Sequence, residues 1–224
     1  MSQPSAPRKT LGRPPRISRE EVVEKARRIV TEEGVDRLTM RRLATEIGST
    51  PMALYHHLRD KEELLVLLLD DYTARTLHRP ELPAHPRERV VASATAIHEV
   101  LAACPWIVEV LTADALMSTS ALWFVEQIVD GLVGCGLTPE QAVHGYRAIW
   151  YYTAGEITVR TTAARRRAGD DRATYREQVF ADLDPGELPR LAQVADRWTS
   201  LTTQDTCLDG LRTLVNGLLA AGAP

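Results

Sequence analysis

The stretch "LTMRRLATEIGSTPMALYHHLRDKEELL", residues 38–65, constrains the fold more than any other part of the chain. Thr39 suits the N-cap of a short helix. The apolar positions of that helix, Met40, Leu43, Ala44 and Ile47, recur at helical spacing, and Gly48 ends it. Gly48, Ser49 and Thr50 leave room only for a tight turn. Pro51 suits the first turn of the next helix, which sends Leu54 and Leu58 inward. Asp60 caps a further helix with Leu64, Leu65, Leu67, Leu68 and Leu69 on its buried face. Two such short helices need a third to pack on, and the preceding segment supplies it. Ser18 caps that helix, with Glu21 placed for a capping box. Val22, Val23, Ala26, Ile29 and Val30 form its apolar stripe, and Gly34 stops it.

After Arg79–Pro86, where Pro80, Pro83 and Pro86 mark a joint, the periodicity is helical throughout. Helices are expected at about 87–103, 105–116, 119–134, 138–167, 172–182, 186–198 and 203–221. "GLTPEQ" is a strong start signal: Thr138 caps, Pro139 takes the first helical position, and Gln141 completes the box. "RRRAGDD" at 165–171 breaks the long helix. No strand pattern, repeat period, Walker-type loop or GxGxxG loop is legible. The expected fold is all-α. Residues 1–17 form a flexible basic tail, 18–72 a helix-turn-helix domain, and 73–224 a helical bundle.

Charge is distributed unevenly between these parts. Up to Lys61 there are thirteen Lys or Arg and eight Asp or Glu. The head therefore carries +5 and the remainder −8. A polyanion partner for the head alone follows from that asymmetry, beside the plainer reading of solvated surface charge. Cys104, Cys135 and Cys207 form no CxxC pair, so neither a zinc site nor a disulfide framework is expected, and no cofactor is implied. An odd cysteine count without an export signal fits a reducing cytoplasm. The run "LLVLLL" is far short of a membrane span.

In a helix-turn-helix pair the first helix braces and the second enters the major groove. Leu54 and Leu58 face in, leaving Pro51, Met52, Ala53, Tyr55, His56 and His57 mostly outside. Slim residues at the front of the helix let its N-terminus approach base edges. His56 and His57 are poor joint metal ligands, since neighbours on a helix diverge by about 100°. His57 has an alternative role in capping or packing against the following helix.

Residues 18–72, with the run "ISREEVVEKARRIVTEEGVDRLTMRRLATEIGSTPMALYHHLRDKEELL", resemble the DNA-binding domain of the TetR family of bacterial transcriptional repressors. The "LYHHL" variant and "GLTPEQAVHGYRAIWYYTAGE" are similar to the tetracycline-repressor branch. The resemblance implies that Arg41 contacts a base or phosphate, and that Pro51, Met52 and Ala53 face bases. Readout at those three positions would be apolar, for example against a thymine methyl. It implies phosphate contacts from Thr39, Thr50, Tyr55, His56 and Lys61. Arg42 is read as an ordinary surface cation. "GRPPR" in the tail either is disordered or enters a minor groove.

The acidic body holds Trp106, Trp123, Trp150 and Trp198. Its candidate small-molecule contacts are His98, Trp106, Trp123, Arg147, Trp150, Tyr151 and Glu156; each is also an ordinary core candidate. Glu156 is a pocket group, a partner for Arg147 or Arg160, or simply exposed. The resemblance implies a homodimer through helices 138–167 and 203–221, a palindromic DNA operator and an unidentified small-molecule effector. Constitutive DNA binding and activation are alternatives on the same fold. An enzyme built on His98 or the His56-His57 pair finds no supporting motif.

Overall fold

Ser18 Oγ accepts the Glu21 amide and starts α1, Arg19–Glu33. The helix stops at Gly34, whose φ of 93° suits a residue without a Cβ. A 3-10 turn, Val35–Arg37, leads to Thr39, which caps α2, Met40–Ile47. Gly48 closes α2 in the left-handed region, and Thr50 caps α3, Pro51–Tyr55. α4 runs Lys61–Thr76, its first turn held by Asp60 Oδ1, which accepts the Glu63 amide at 2.8 Å. The core here is Val22, Ala26, Ile29, Val30, Leu38, Leu43, Ala44, Leu54, Leu58, Leu64, Leu65, Leu68 and Leu69.

The computed structural model describes residues 18–113, 116–167 and 174–221. The tail with "GRPPR", Asp114 and part of "RRRAGDD" lie outside them. The chain forms two compact units, 1–71 and 72–224, and the division falls within α4, ahead of the proline-rich joint. Among the described residues every regular element is helical.

The second unit is built from α5 (Pro86–Ala103), α6 (Trp106–Ala113), α7 (Leu122–Gly134), α8 (Pro139–Arg167), α9 (Tyr175–Ala181), α10 (Pro189–Ala192), α11 (Trp198–Thr202) and α12 (Cys207–Ala221). α5, α7, α8 and α12 share one core of Val90, Ala94, Ile128, Leu132, Leu137, Ala142, Ile149, Cys207, Leu211 and Val215. α8 begins as its start signal requires: Thr138 Oγ1 accepts the Gln141 amide, and Gln141 Oε1 accepts the Thr138 amide.

Four boundaries differ from the periodicity. α3 ends at Tyr55 instead of running to Leu58. The 119–134 segment opens as a 3-10 turn, Thr119–Ala121. The single helix expected at 186–198 is α10, a 3-10 turn and the start of α11. None of these pieces has a fully buried residue, so no packed face forces a continuous helix. The last helix starts at Cys207, whose amide is taken by Asp205 Oδ1 at 3.2 Å, and not at 203.

Gly131 sets how closely α5 and α7 approach. A Cβ there would lie 2.6 Å from Val90 Cγ2 and 3.0 Å from the Pro86 carbonyl oxygen. Gly131→Ala is expected to destabilise the protein by about 1–3 kcal/mol through overpacking, read as a lower urea midpoint.

Candidate functional site

The first unit presents α3 as a shallow element anchored from behind. Leu54 is fully buried and Leu58 is 1% exposed, while Met52 is 70% and Tyr55 49% exposed. Pro51, His56, His57 and Lys61 are exposed and Ala53 is half-buried. Thr39 and Thr50 lie exposed at the starts of α2 and α3, where each hydroxyl accepts a backbone amide (3.1 and 3.3 Å). They position their helices while facing solvent. Among the described residues His57 has no side-chain bond to α4; its backbone amide donates to the Leu54 carbonyl at 2.8 Å.

Ion pairing sorts the cations of this unit. Arg42 is tied to Glu33 at 2.8 Å and to Glu46 at 3.4 Å, and Glu33 holds its guanidinium more firmly charged. Arg19 and Arg59 both reach Glu63. Arg28 pairs with Glu32 and Glu46. Arg41 and Lys61 are exposed and join no ion pair among the described residues. Two of the cations assigned to an anionic partner are thus free to meet one, whereas Arg42 serves the fold.

Glu63 fixes the turn between α3 and α4. Its Oε2 accepts the Arg59 amide at 2.8 Å. That bond, then the Arg59 and Arg19 guanidiniums, holds its carboxyl below the usual range against some desolvation. A depressed folded pKa stabilises above the unfolded pKa and is lost as pH falls through the folded one. Glu63→Gln is therefore expected to lower thermal stability at neutral pH and to flatten its decline on acidification, checked by Tm against pH.

In the second unit the seven candidate contacts do not form one cluster. His98 on α5 and Glu156 on α8 meet, Nε2 to Oε2, at 2.6 Å. Glu156 Oε1 pairs with Arg160 Nε at 2.9 Å, which resolves its partner as Arg160 and not Arg147. Arg147 lies nine positions before Glu156, about two and a half turns away and so on the opposite face of α8. There it donates to the Tyr151 hydroxyl at 2.6 Å. Tyr151 is 60% exposed. Trp106 is buried, edge-on to Tyr72 at 6.4 Å, and Arg79 lies 5.3 Å over the half-buried Trp123. Trp150 is half-buried. A groove of about 550 Å³ along α5 and α12, lined by Pro80, Arg87, Val91, Glu99, Leu208 and Arg212 among others, includes none of the seven. Ser93 Oγ and Thr153 Oγ1 are buried with no hydrogen-bond partner among the described residues.

Cys207 joins the His98–Glu156 pair. The three ligand-type atoms all lie within 4.8 Å of one another. Burial, with the nearby Glu156 and Asp205 charges, pushes the Cys207 thiol up to about 11, so it is a poor nucleophile at neutral pH. Sequence reading missed this residue. Its motif-free neighbours gave no signal, because only the packing of α5, α8 and α12 brings the three together.

Residues 22–68 match the bacterial regulatory proteins of the tetR family, and residues 79–221 match the tetracyclin repressor-like C-terminal domain. The chain belongs to the TetR family. HTH-type transcriptional repressor DrrR1 of Streptomyces coeruleorubidus is 32% identical over 201 residues, 84% of this chain and 73% of that protein. ActR of Streptomyces coelicolor, solved with (S)-DNPA, superposes with a TM-score of 0.72 at 24% identity, covering 92% of this chain and 99% of ActR. BioQ with its double-stranded DNA operator superposes at 0.62 and 24% identity, covering 91% of this chain and 99% of BioQ. This TetR-family chain is a DNA-binding transcription regulator and not an enzyme. Among its described residues no single helix is long and apolar enough to cross a membrane.

Proposed function

We propose that the protein is a ligand-responsive repressor that binds a palindromic operator as a homodimer in the cytoplasm and leaves it when a small molecule occupies the second unit. The observation that carries this reading is the exposed front of α3, backed by buried Leu54 and Leu58 and flanked by the unpaired cations Arg41 and Lys61. In this reading Pro51, Met52 and Ala53 meet base edges. Thr39, Thr50, Tyr55, His56 and Lys61 hold phosphates, and Arg41 reaches a base or a phosphate.

The exposed stripe Val143, Arg147, Tyr151, Gly155 and Val159 on α8 repeats every four residues. With exposed Leu208 on α12 it supports pairing of two subunits through α8 and α12. A two-fold pair sets its recognition helices about 34–36 Å apart for successive major grooves. ActR, a TetR-family protein of the same fold solved in complex with (S)-DNPA, supports a small-molecule effector. Arg147 and Tyr151 then belong to the subunit interface, and the ligand contacts centre on His98, Trp106, Trp123, Trp150 and Glu156. Effector binding changes the spacing of the recognition helices, and DNA weakens effector binding by the same factor.

Mobility-shift titration against DNA flanking the protein's own gene, at several salt concentrations, tests the reading. A discrete complex that resists non-specific competitor is expected. Binding indifferent to sequence contradicts a repressor. A specific complex that no compound in a broad metabolite library dissociates identifies a constitutive binder.

A further inference from the structure

His98, Glu156 and Cys207 come from α5, α8 and α12, the helices that share the core of the second unit. The His98 side chain is 12% exposed, that of Glu156 22%, and Cys207 as a residue 5%. The site is also held from outside. Arg160 takes Glu156 Oε1 and leaves Oε2 toward His98 Nε2. The Cys207 backbone is fixed at both ends: Asp205 accepts its amide, and its carbonyl accepts the Tyr152 hydroxyl at 3.3 Å. Tyr152 reaches it across Gly210, where an added methyl group would overlap the phenol. Three different donor types are thus brought to one point by three rigid elements, with outer hydrogen bonds orienting two of them.

We infer that His98, Glu156 and Cys207 form a binding site for one divalent transition metal ion of the zinc type. Imidazole, carboxylate and thiolate together suit Zn²⁺, and the sulfur disfavours Mg²⁺ and Ca²⁺. Around tetrahedral Zn²⁺ such ligand atoms stand roughly 3.3–3.7 Å apart. The His98–Glu156 pair, at 2.6 Å, has to open by about 0.7 Å, and the thiol, within 4.8 Å of both, has to settle at the zinc spacing. On binding, the Cys207 S–H bond breaks, its proton leaves to solvent, and a sulfur–metal bond forms. His98 Nε2 and Glu156 Oε2 each give a lone pair, and any proton between them is released too. One thiolate and one carboxylate balance the dication. Water completes the fourth position, as in three-ligand zinc sites.

Cobalt(II) is the probe, added to the full chain after chelator treatment and dialysis. One equivalent per chain is expected to give thiolate-to-cobalt charge-transfer absorption and tetrahedral ligand-field bands, both abolished by added Zn²⁺. The Cys104→Ser, Cys135→Ser double variant retains Cys207 as its sole thiol and is expected to keep the band. Cys207→Ser is expected to lose it. His98→Ala is expected to weaken cobalt binding by more than about 100-fold, beyond what outer-shell changes cost. Absence of the band in the wild type, or its loss in the double variant, overturns the site. So does a band that survives His98→Ala at unchanged affinity. Because the double variant isolates Cys207, the outcome stands even if Cys207→Ser fails to fold.

Discussion

Replacing Arg41 and Lys61 together by alanine is expected to weaken operator binding and flatten its salt dependence, with the fold intact. Each phosphate contact contributes about 0.9 to the slope of log affinity against log salt. If both cations meet phosphate, four contacts are lost across the proposed homodimer, and the slope falls by about 3.6. If Arg41 instead reads a base, the slope changes by about half as much, and discrimination at one base pair drops by about 1–3 kcal/mol. Neither side chain has a described ion pair to lose, so thermal stability should hardly move. Arg42→Ala is the matching control. Its guanidinium is engaged by Glu33 and Glu46, so this variant should retain the salt slope while loosening the α1–α2 packing. Fluorescence anisotropy over a salt series, with circular dichroism melts, separates the two patterns.

Leu54→Ala is expected to cost about 2–5 kcal/mol of stability and to cost DNA binding more than any surface change. Leu54 is the one buried residue of the five-residue α3. A helix that short is not stable by propensity and exists because its back is packed. Removing that anchor leaves a cavity under α3 and lets its exposed front lose register. Met52→Ala, on the opposite face and 70% exposed, should leave the urea midpoint unchanged and alter only which bases are preferred. If Leu54→Ala were as stable as wild type, α3 would not be held as described.

The helix-turn-helix was legible because its signals are local. Caps at Ser18, Thr39 and Asp60 and stops at Gly34 and Gly48 each lie within three residues of what they fix, while Thr50, read only as part of the turn, also caps α3. The exposure of Tyr55 followed from the inward spacing of Leu54 and Leu58. The second unit was legible as helices but not as a site. Arg147 and Glu156 look like one polar cluster in sequence, yet nine positions on a helix put them on opposite faces. The partner that does meet Glu156 is His98, 58 residues earlier, and nothing local marks the pair. The stretch 186–198 failed for a different reason: its apolar spacing is helical, but no neighbour covers it fully.

The most direct test of α3 as the reading element is selection of binding sites from a pool of random duplexes by the purified protein at fixed salt. A two-fold symmetric site should be enriched and bound at least about 10³-fold more tightly than random duplex. Changing Tyr55 and Lys61 to alanine should weaken binding to all duplexes about alike, whereas Met52→Ala should change which sequence is enriched. No enrichment, or an enriched sequence untouched by Met52→Ala, would contradict the assignment.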